Sequence, residues 1–450
     1  MNPKTLLILC IIITLLTGCR GNLPSQPPPS PEPQSATLTP YASMTPLPTT
    51  SSTPTAASPT PTPYPPETKL VSNCLEILPA LPEGAKVSGN IVLGSQSKDN
   101  PGVFFKNIAT GDMVQVVGKD EHYGSMVIAP NRKLMAFMNF GEYWGAVKNL
   151  ILMNGNGERV KVLPWNESWF NLQAITDEQR LLITYNRGQA EDYPKALVVL
   201  DPFTNQQTII DPVFPDYIKD AYVPYWDGWY GVIYDPTASY AIYPMTMQEG
   251  GGEFYTFALW DVLNKQVVGS FEEIFWDAVF SSRAAPMLRW SSDGSMFGLP
   301  ANSAAGELGE FDLYKVRTDG QAERLTYLSS IAYMRGLTFS WSPDDQKIAM
   351  LLDLRPDLLD LRENHLAVLN TQSGVVTDYC VTTEFSYEYA PIWSPDGNLL
   401  LLYDIYAEKD PSDENDSDLQ SRVVLVDIAQ GFAAVIAEDM LPMGWLASTN

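Results

Sequence analysis

Trp341-Ser342-Pro343-Asp344-Asp345 returns roughly 50 residues later as Trp393-Ser394-Pro395-Asp396-Gly397, and each copy runs into an apolar stretch, Ile348 to Leu352 and Leu399 to Leu402. A third copy is Trp290-Ser291-Ser292-Asp293-Gly294. Weaker copies carry Pro130, Asp177 and Pro236 where the strongest carries Pro343. Ser-Pro-Asp-Gly is turn chemistry, because Pro presets φ, Asp hydrogen-bonds the backbone ahead of it, and Gly accepts a positive φ. Each copy is therefore a tight turn between two strands.

Downstream of each copy lies a second signal, two β-rich runs joined by Asn, Asp and Gly. Ala367 to Leu369 passes through Asn370-Thr371-Gln372-Ser373-Gly374 into Val375 to Tyr379, a hairpin pattern. Equivalent turns at 107–112, 154–157, 201–205, 261–265, 318–321 and 427–431 bring the hairpins to seven. The unit thus reads strand, turn, strand, strand, turn, strand, the size and content of one propeller blade. The expected fold is all-β, a β-propeller of seven four-stranded blades, with six or eight blades as alternatives. The first hairpin has no tryptophan-bearing strand before it, whereas Met443-Gly444-Trp445-Leu446 matches Ile392-Trp393-Ser394 one repeat on. The C-terminal strand is expected to complete the first blade, leaving no inner edge unpaired. Repeated in register, Trp290, Trp341, Trp393 and Trp445 read as blade core.

The Trp-Ser-Pro-Asp-Gly repeats, a WD-type pattern, resemble those of TolB-type propellers and of the propeller domains of the dipeptidyl peptidase IV family. The resemblance spans about Gly89 to Leu446. It implies a propeller, but neither the α/β domain of TolB nor the hydrolase domain of the peptidases is expected alongside it, so it carries no catalytic residue across.

Outward from the repeats, the N-terminal end reads differently. Asn2, Pro3 and Lys4 precede an apolar run from Leu6 to Leu16, too short to span a bilayer, which reads as a signal peptide over residues 1–18. Leu16-Thr17-Gly18-Cys19 resembles the lipobox of bacterial lipoproteins, in which the cysteine is diacylated and becomes the mature N-terminus. Residues 19–67 then form a lipidated Cys19 followed by a stalk of Pro, Thr and Ser, which holds too little apolar surface to offset its ordering entropy. The propeller is expected over 68–450. This arrangement implies an extracytoplasmic protein of the cell envelope, held to a membrane through the lipid on Cys19. Cys74 and Cys380 are then two thiols in an oxidising compartment, and a disulfide between them is the expected outcome.

The formal net charge of −25 argues against a nucleic-acid partner. Gly-x-Ser-x-Gly, Walker-type and dinucleotide fingerprints are absent from the sequence. Its two histidines, His122 in an expected loop and His365, are too few for a three-histidine metal site. No cofactor is expected. The acidic run containing Asp413, Asp416 and Asp418 offers the one arrangement suited to calcium, without the spacing of an EF-hand loop.

Loop length separates the two faces of the ring. Both kinds of tight turn fall on one face, while the opposite connections are long. These long loops carry the candidate binding aromatics Tyr143, Trp144, Tyr193 and Tyr217, and also Tyr225, Trp226, Trp229 and Trp276. Aromatic plates on loops suit contacts with a partner protein or an envelope polymer. The expectation is a non-catalytic interaction module. The alternative is a glycan-binding or glycan-cleaving propeller using loop carboxylates such as Asp227, Glu253, Asp277 and Asp353.

Overall fold

The computed structural model describes residues 68–447 except 86, 88, 96–100, 119–120, 141–146, 166–169, 186–195, 211–232, 250–251, 263, 265, 271–288, 303–310, 329–337, 354–363, 384–388 and 408–418. Every regular element among the described residues is a β-strand, and the strands form seven sheets. The sheets are seven blades, each with four antiparallel strands from the ring's inside outward; the four are successive in the chain in blades 2 to 7, while blade 1 takes its inner strand from the end of the propeller.

Blade 7 shows the pattern: Ile392–Trp393, Leu399–Ala407, Leu419–Asp427 and Phe432–Glu438. Its middle strands read as continuous apolar runs because both faces of the blade are buried. Leu399 and Leu401 pack toward blade 1 with Ile91, Leu93 and Trp445. Leu400 and Leu402, pointing the other way, pack toward blade 6 with Leu366 and Val368. Seven buried clusters fill the seven gaps between consecutive blades, including that between blades 7 and 1. The core is thus a ring of interfaces.

The ring closes where the first and last strands of the seven blades meet. Leu441–Leu446 is the innermost strand of blade 1, antiparallel to Asn90–Ser95, with Asn90 opposite Leu446 and Ile91 opposite Trp445. Gly444 adopts φ +150° here, and a Cβ at that position would run into Ile128 of blade 2.

Six inner turns share one geometry. In the strongest copies the Ser342 N–H reaches the Lys347 carbonyl at 2.9 Å and the Ser394 N–H the Leu399 carbonyl at 2.8 Å, with Asp345 and Gly397 at positive φ. The degenerate copies at Ala129, Thr176 and Asp235 close likewise, with Arg132, Gln179 and Ala238 at φ 60°, 65° and 60°. The turn at Thr176 closes onto Arg180, one residue sooner than the others. Outer hairpins open on Asn or Asp in six blades: Asn107, Asn154, Asp201, Asp261, Asn370 and Asp427 each accept a backbone N–H two or three residues ahead.

Blades 6 and 7 each have a fifth strand that the repeat pattern does not announce. Lys69–Ser72 lies parallel to Val375–Thr383, and Ile77–Leu78 lies parallel to Phe432–Glu438. The segment before blade 1 therefore covers the outer edges of the last two blades. Between these short strands Cys74 is disulfide-bonded to Cys380, with Cα atoms 4.7 Å apart.

Candidate functional site

The repeated Ser and Asp side chains are consumed by their own turns. The Ser342 hydroxyl donates to Asp344 Oδ1 at 2.6 Å and accepts the Lys347 N–H at 2.9 Å, while the Gln346 N–H donates to the same carboxylate oxygen. Ser394 and Asp396 repeat the arrangement, as do Ser291 and Asp293. The Ser342 hydroxyl, helped by the Gln346 N–H, holds the Asp344 carboxyl below its ordinary range. Desolvation opposes the same effect at Asp396 and Asp293, yet their hydrogen bonds outweigh it. A depressed carboxylate stabilises the fold above its unfolded pKa, and that contribution is lost as pH falls through the folded one. Asp344→Asn should therefore lower the melting temperature at pH 7, and the gap to wild type should shrink as pH falls below the ordinary Asp range near about 4. Thermal melts from pH 7 to 2.5 check this; a gap that widens on acidification contradicts it.

The repeated tryptophans join blades as well as fill them. Trp341 Nε1 donates to the Arg289 carbonyl of blade 5 at 3.0 Å, Trp393 Nε1 to Ser340 of blade 6 at 3.1 Å, and Trp445 Nε1 to Ile392 of blade 7 at 3.4 Å. Trp290 Nε1 makes the same bond to Ile233 of blade 4 at 3.4 Å. Each indole thus reaches back to the inner strand of the preceding blade, a role that requires an N–H at the end of a large apolar side chain.

Two adjoining cavities of about 500 and 470 Å³ open on the short-turn face, both bordered by Pro130, Asp177, Pro236, Ser292 and Asp293. Arg132, Arg289 and Trp290 line the first. Desolvation lowers the pKa of both guanidinium groups, although the Arg289 surface remains open to solvent through the cavity. The size suits a small ligand. Its carboxylates, however, hold the ring: Asp177 accepts the Asn131 N–H of blade 2 at 3.0 Å, and Asp293 is fixed by Ser291 and by the Ser295 N–H at 2.9 Å. Ser292 of blade 5 is tied to Asp345 and the Pro343 carbonyl of blade 6. Desolvation raises the pKa of Asp345, and likewise that of Asp235.

Of the residues singled out in the sequence, Tyr143, Trp144, Tyr193, Tyr217, Tyr225, Trp226, Trp229 and Trp276 lie outside the described residues, as do Cys19 and the acidic residues Asp413, Asp416 and Asp418. Among the loop carboxylates of the glycan reading, Asp227 and Asp277 also lie outside them, Asp353 is buried, and Glu253 is a strand residue of Gly252–Asp261, paired with Gln248, not a loop residue. His122 is the first residue of the strand His122–Ile128, not a loop residue, and the neighbouring Glu121 is paired with Arg159. The sequence reading missed a cluster of His365, Asp378 and Cys380 on the outer half of blade 6, whose potential ligand atoms lie within 4.8 Å of one another. It also missed a run of exposed apolar side chains on the outer parts of blades 1 to 3, including Val114, Val162 and Phe203.

The fold and this geometry define a seven-bladed β-propeller closed by its two ends. No protein-family model matches the sequence, and no curated protein matches it. Among solved structures, the chain is similar to TolB from Acinetobacter baumannii, at 14% identity and a TM-score of 0.37 over 80% of this chain and 66% of that one. It is similar to an oligogalacturonate lyase from Vibrio parahaemolyticus, at 10% identity and a TM-score of 0.47 over 80% and 86% of the two chains. Another similar structure is the periplasmic gluconolactonase of Pseudomonas aeruginosa, at 12% identity and a TM-score of 0.41 over 80% and 98%.

Proposed function

We propose that the protein is an extracytoplasmic binding module, anchored to a membrane through lipid on Cys19 and raised on the Pro/Thr/Ser stalk, whose long-loop face engages a partner protein or an envelope polymer without transforming it. One observation carries the non-catalytic reading. Of Asp177 and Asp293, the two carboxylates that border both described cavities, Asp177 is tied to the Asn131 N–H of the neighbouring blade, and Asp293 is fixed within its own turn and held below the ordinary range. A general acid at a glycosidic bond needs the opposite, a carboxyl whose pKa is raised and whose proton faces the substrate. The lipobox-like Leu16-Thr17-Gly18-Cys19 and the apolar run before it support the anchor.

The test is to incubate the mature protein with immobilised envelope polysaccharide and follow retention together with polymer length. Saturable retention and unchanged polymer length are expected. Progressive shortening of the polymer would make the protein an enzyme. The anchor has its own test in metabolic labelling with a fatty-acid analogue, where wild type should label and Cys19→Ala should not; equal labelling removes the anchor from the proposal.

A further inference from the structure

The Cys74–Cys380 disulfide lies in a cluster of donor atoms that it does not need. Strand Val375–Thr383 bulges against Asn364–Asn370: Asp378 pairs with Ala367 and Thr382 with His365, so residues 379–381 stand opposite Leu366 alone. Within the bulge Cys380 adopts φ +53°, which a residue with a Cβ seldom does. Bulges of this kind re-aim side chains. Here the bulge brings Cys380 beside the buried Asp378, which accepts the Cys380 N–H at 2.7 Å. His365 Nδ1 lies 3.2 and 3.3 Å from the two Asp378 oxygens, and Cys380 Sγ lies 3.7 Å from Oδ2.

These separations match the edges of a zinc tetrahedron. Zinc bonds of about 2.0–2.1 Å to nitrogen and oxygen and about 2.3 Å to sulfur place N and O ligands about 3.3 Å apart, and O and S ligands about 3.5 Å apart. The three residues leave one corner open, and the thiol nearest to it in the chain's covalent structure is Cys74, bonded to Cys380 with Cα atoms 4.7 Å apart. Its segment is strapped to the bulge by the Asn73 N–H on the Asp378 carbonyl at 2.7 Å and the Leu75 N–H on the Tyr379 carbonyl at 3.0 Å. Those backbone bonds flank the disulfide on both sides and are separate from it.

We propose that reduction of the Cys74–Cys380 disulfide uncovers a closed zinc site with Cys74, Cys380, His365 and Asp378 as its ligands, so that zinc replaces the disulfide as the staple between the N-terminal segment and blade 6. An external dithiol supplies two electrons and two protons, becoming a disulfide itself while the S–S bond here becomes two thiols. Zinc then forms two Zn–S bonds, one bond to His365 Nδ1 and one to an Asp378 oxygen, and the two thiol protons leave to solvent. A disulfide sulfur is no substitute, because the thiolate is the ligand. Two thiolates with one imidazole and one carboxylate favour zinc over calcium or magnesium.

The test uses the mature protein, reduced with a phosphine and freed of reductant without air, then titrated with cobalt(II) as a spectroscopic stand-in for zinc. Reduced wild type should take up one equivalent with the absorption of tetrahedral, sulfur-ligated cobalt, which zinc displaces, and the oxidised protein should not. His365→Ala, which leaves the disulfide intact, should weaken cobalt binding by the reduced protein at least about tenfold. Zinc should also raise the melting temperature of the reduced protein toward that of the oxidised form. The proposal is overturned if reduced and oxidised proteins give the same spectrum, or if His365→Ala and Asp378→Asn bind as wild type does. It is equally overturned if reduction abolishes the β-sheet circular dichroism and zinc does not restore it.

Discussion

Removal of residues 441–450 is expected to leave no soluble, cooperatively melting protein. The deletion takes away the inner strand of blade 1, which pairs with Asn90–Ser95 over its length, and with it the fully buried Trp445 and Leu446. Trp445 fills the gap to blade 7, while Leu446 lies in the gap to blade 2, so two of the seven interfaces open together. Two ties between blades vanish as well, the Trp445 indole to the Ile392 carbonyl and the Ala447 N–H to the Arg132 carbonyl at 2.8 Å. The strand Asn90–Ser95 then becomes an apolar edge open to pairing with other chains. Trp445→Ala alone should cost about 3–5 kcal/mol. Sedimentation and a thermal melt decide the matter; a truncated protein that stays soluble with an unchanged melting temperature would show that the two ends do not close the ring.

The second large effect is expected at Trp393, which is 2% exposed and packs among Leu400, Leu402 and Val424 between blades 6 and 7. Trp393→Ala should destabilise by about 3–5 kcal/mol through lost packing and the cavity it leaves. Trp393→Phe separates the two roles of the side chain, since it keeps most of the ring and removes the Nε1–H bond to Ser340. That loss should cost about 1 kcal/mol, the usual net worth of a hydrogen bond of this kind, because the half-buried Ser340 carbonyl loses its partner. The half-buried Trp290, whose bond to Ile233 is longer at 3.4 Å, should tolerate Phe better. Denaturant melts of the three variants give the ranking, and a Trp290→Phe cost equal to or above that of Trp393→Phe would argue against the indole bond as the reason this residue repeats.

What could be read from the sequence follows from what a repeat makes visible. Trp-Ser-Pro-Asp-Gly is legible because one turn geometry needs each member: the serine and aspartate for hydrogen bonds, the residue with positive φ for the reversal, and the tryptophan for the bond to the blade before. Where other residues satisfy the same geometry, as at Ala129, Thr176 and Asp235, spacing still marks the turn although the motif has dissolved. Lys69–Ser72 and Ile77–Leu78 could not be foreseen in this way. They are short, occur once, and owe their form to the exposed outer edges of blades 6 and 7 rather than to any periodicity of their own. The His365–Asp378–Cys380 cluster was hidden for a similar reason, since a regular ladder would keep these side chains apart and only the bulge brings them together. On the functional side, the expectation of recognition on the long-loop face rests on loop length and aromatic content in the sequence, its aromatics lying outside the described residues, while the described cavities on the opposite face are bordered by groups that hold the ring.

Recognition through the long-loop face is the central claim, and it is met most directly by measuring the affinity of the mature protein for isolated cell-envelope material alongside that of two variants, Trp226→Ala from the aromatics that the sequence assigns to the long loops and Gln372→Ala from an exposed hairpin turn on the short-turn face, each with its melting temperature. A binding aromatic at the centre of a contact should cost on the order of 2 kcal/mol, a thirtyfold loss, when truncated. The account predicts that loss for Trp226→Ala at unchanged melting temperature, with Gln372→Ala binding as wild type. Lost affinity for Gln372→Ala with none for Trp226→Ala would place recognition on the other face and contradict it.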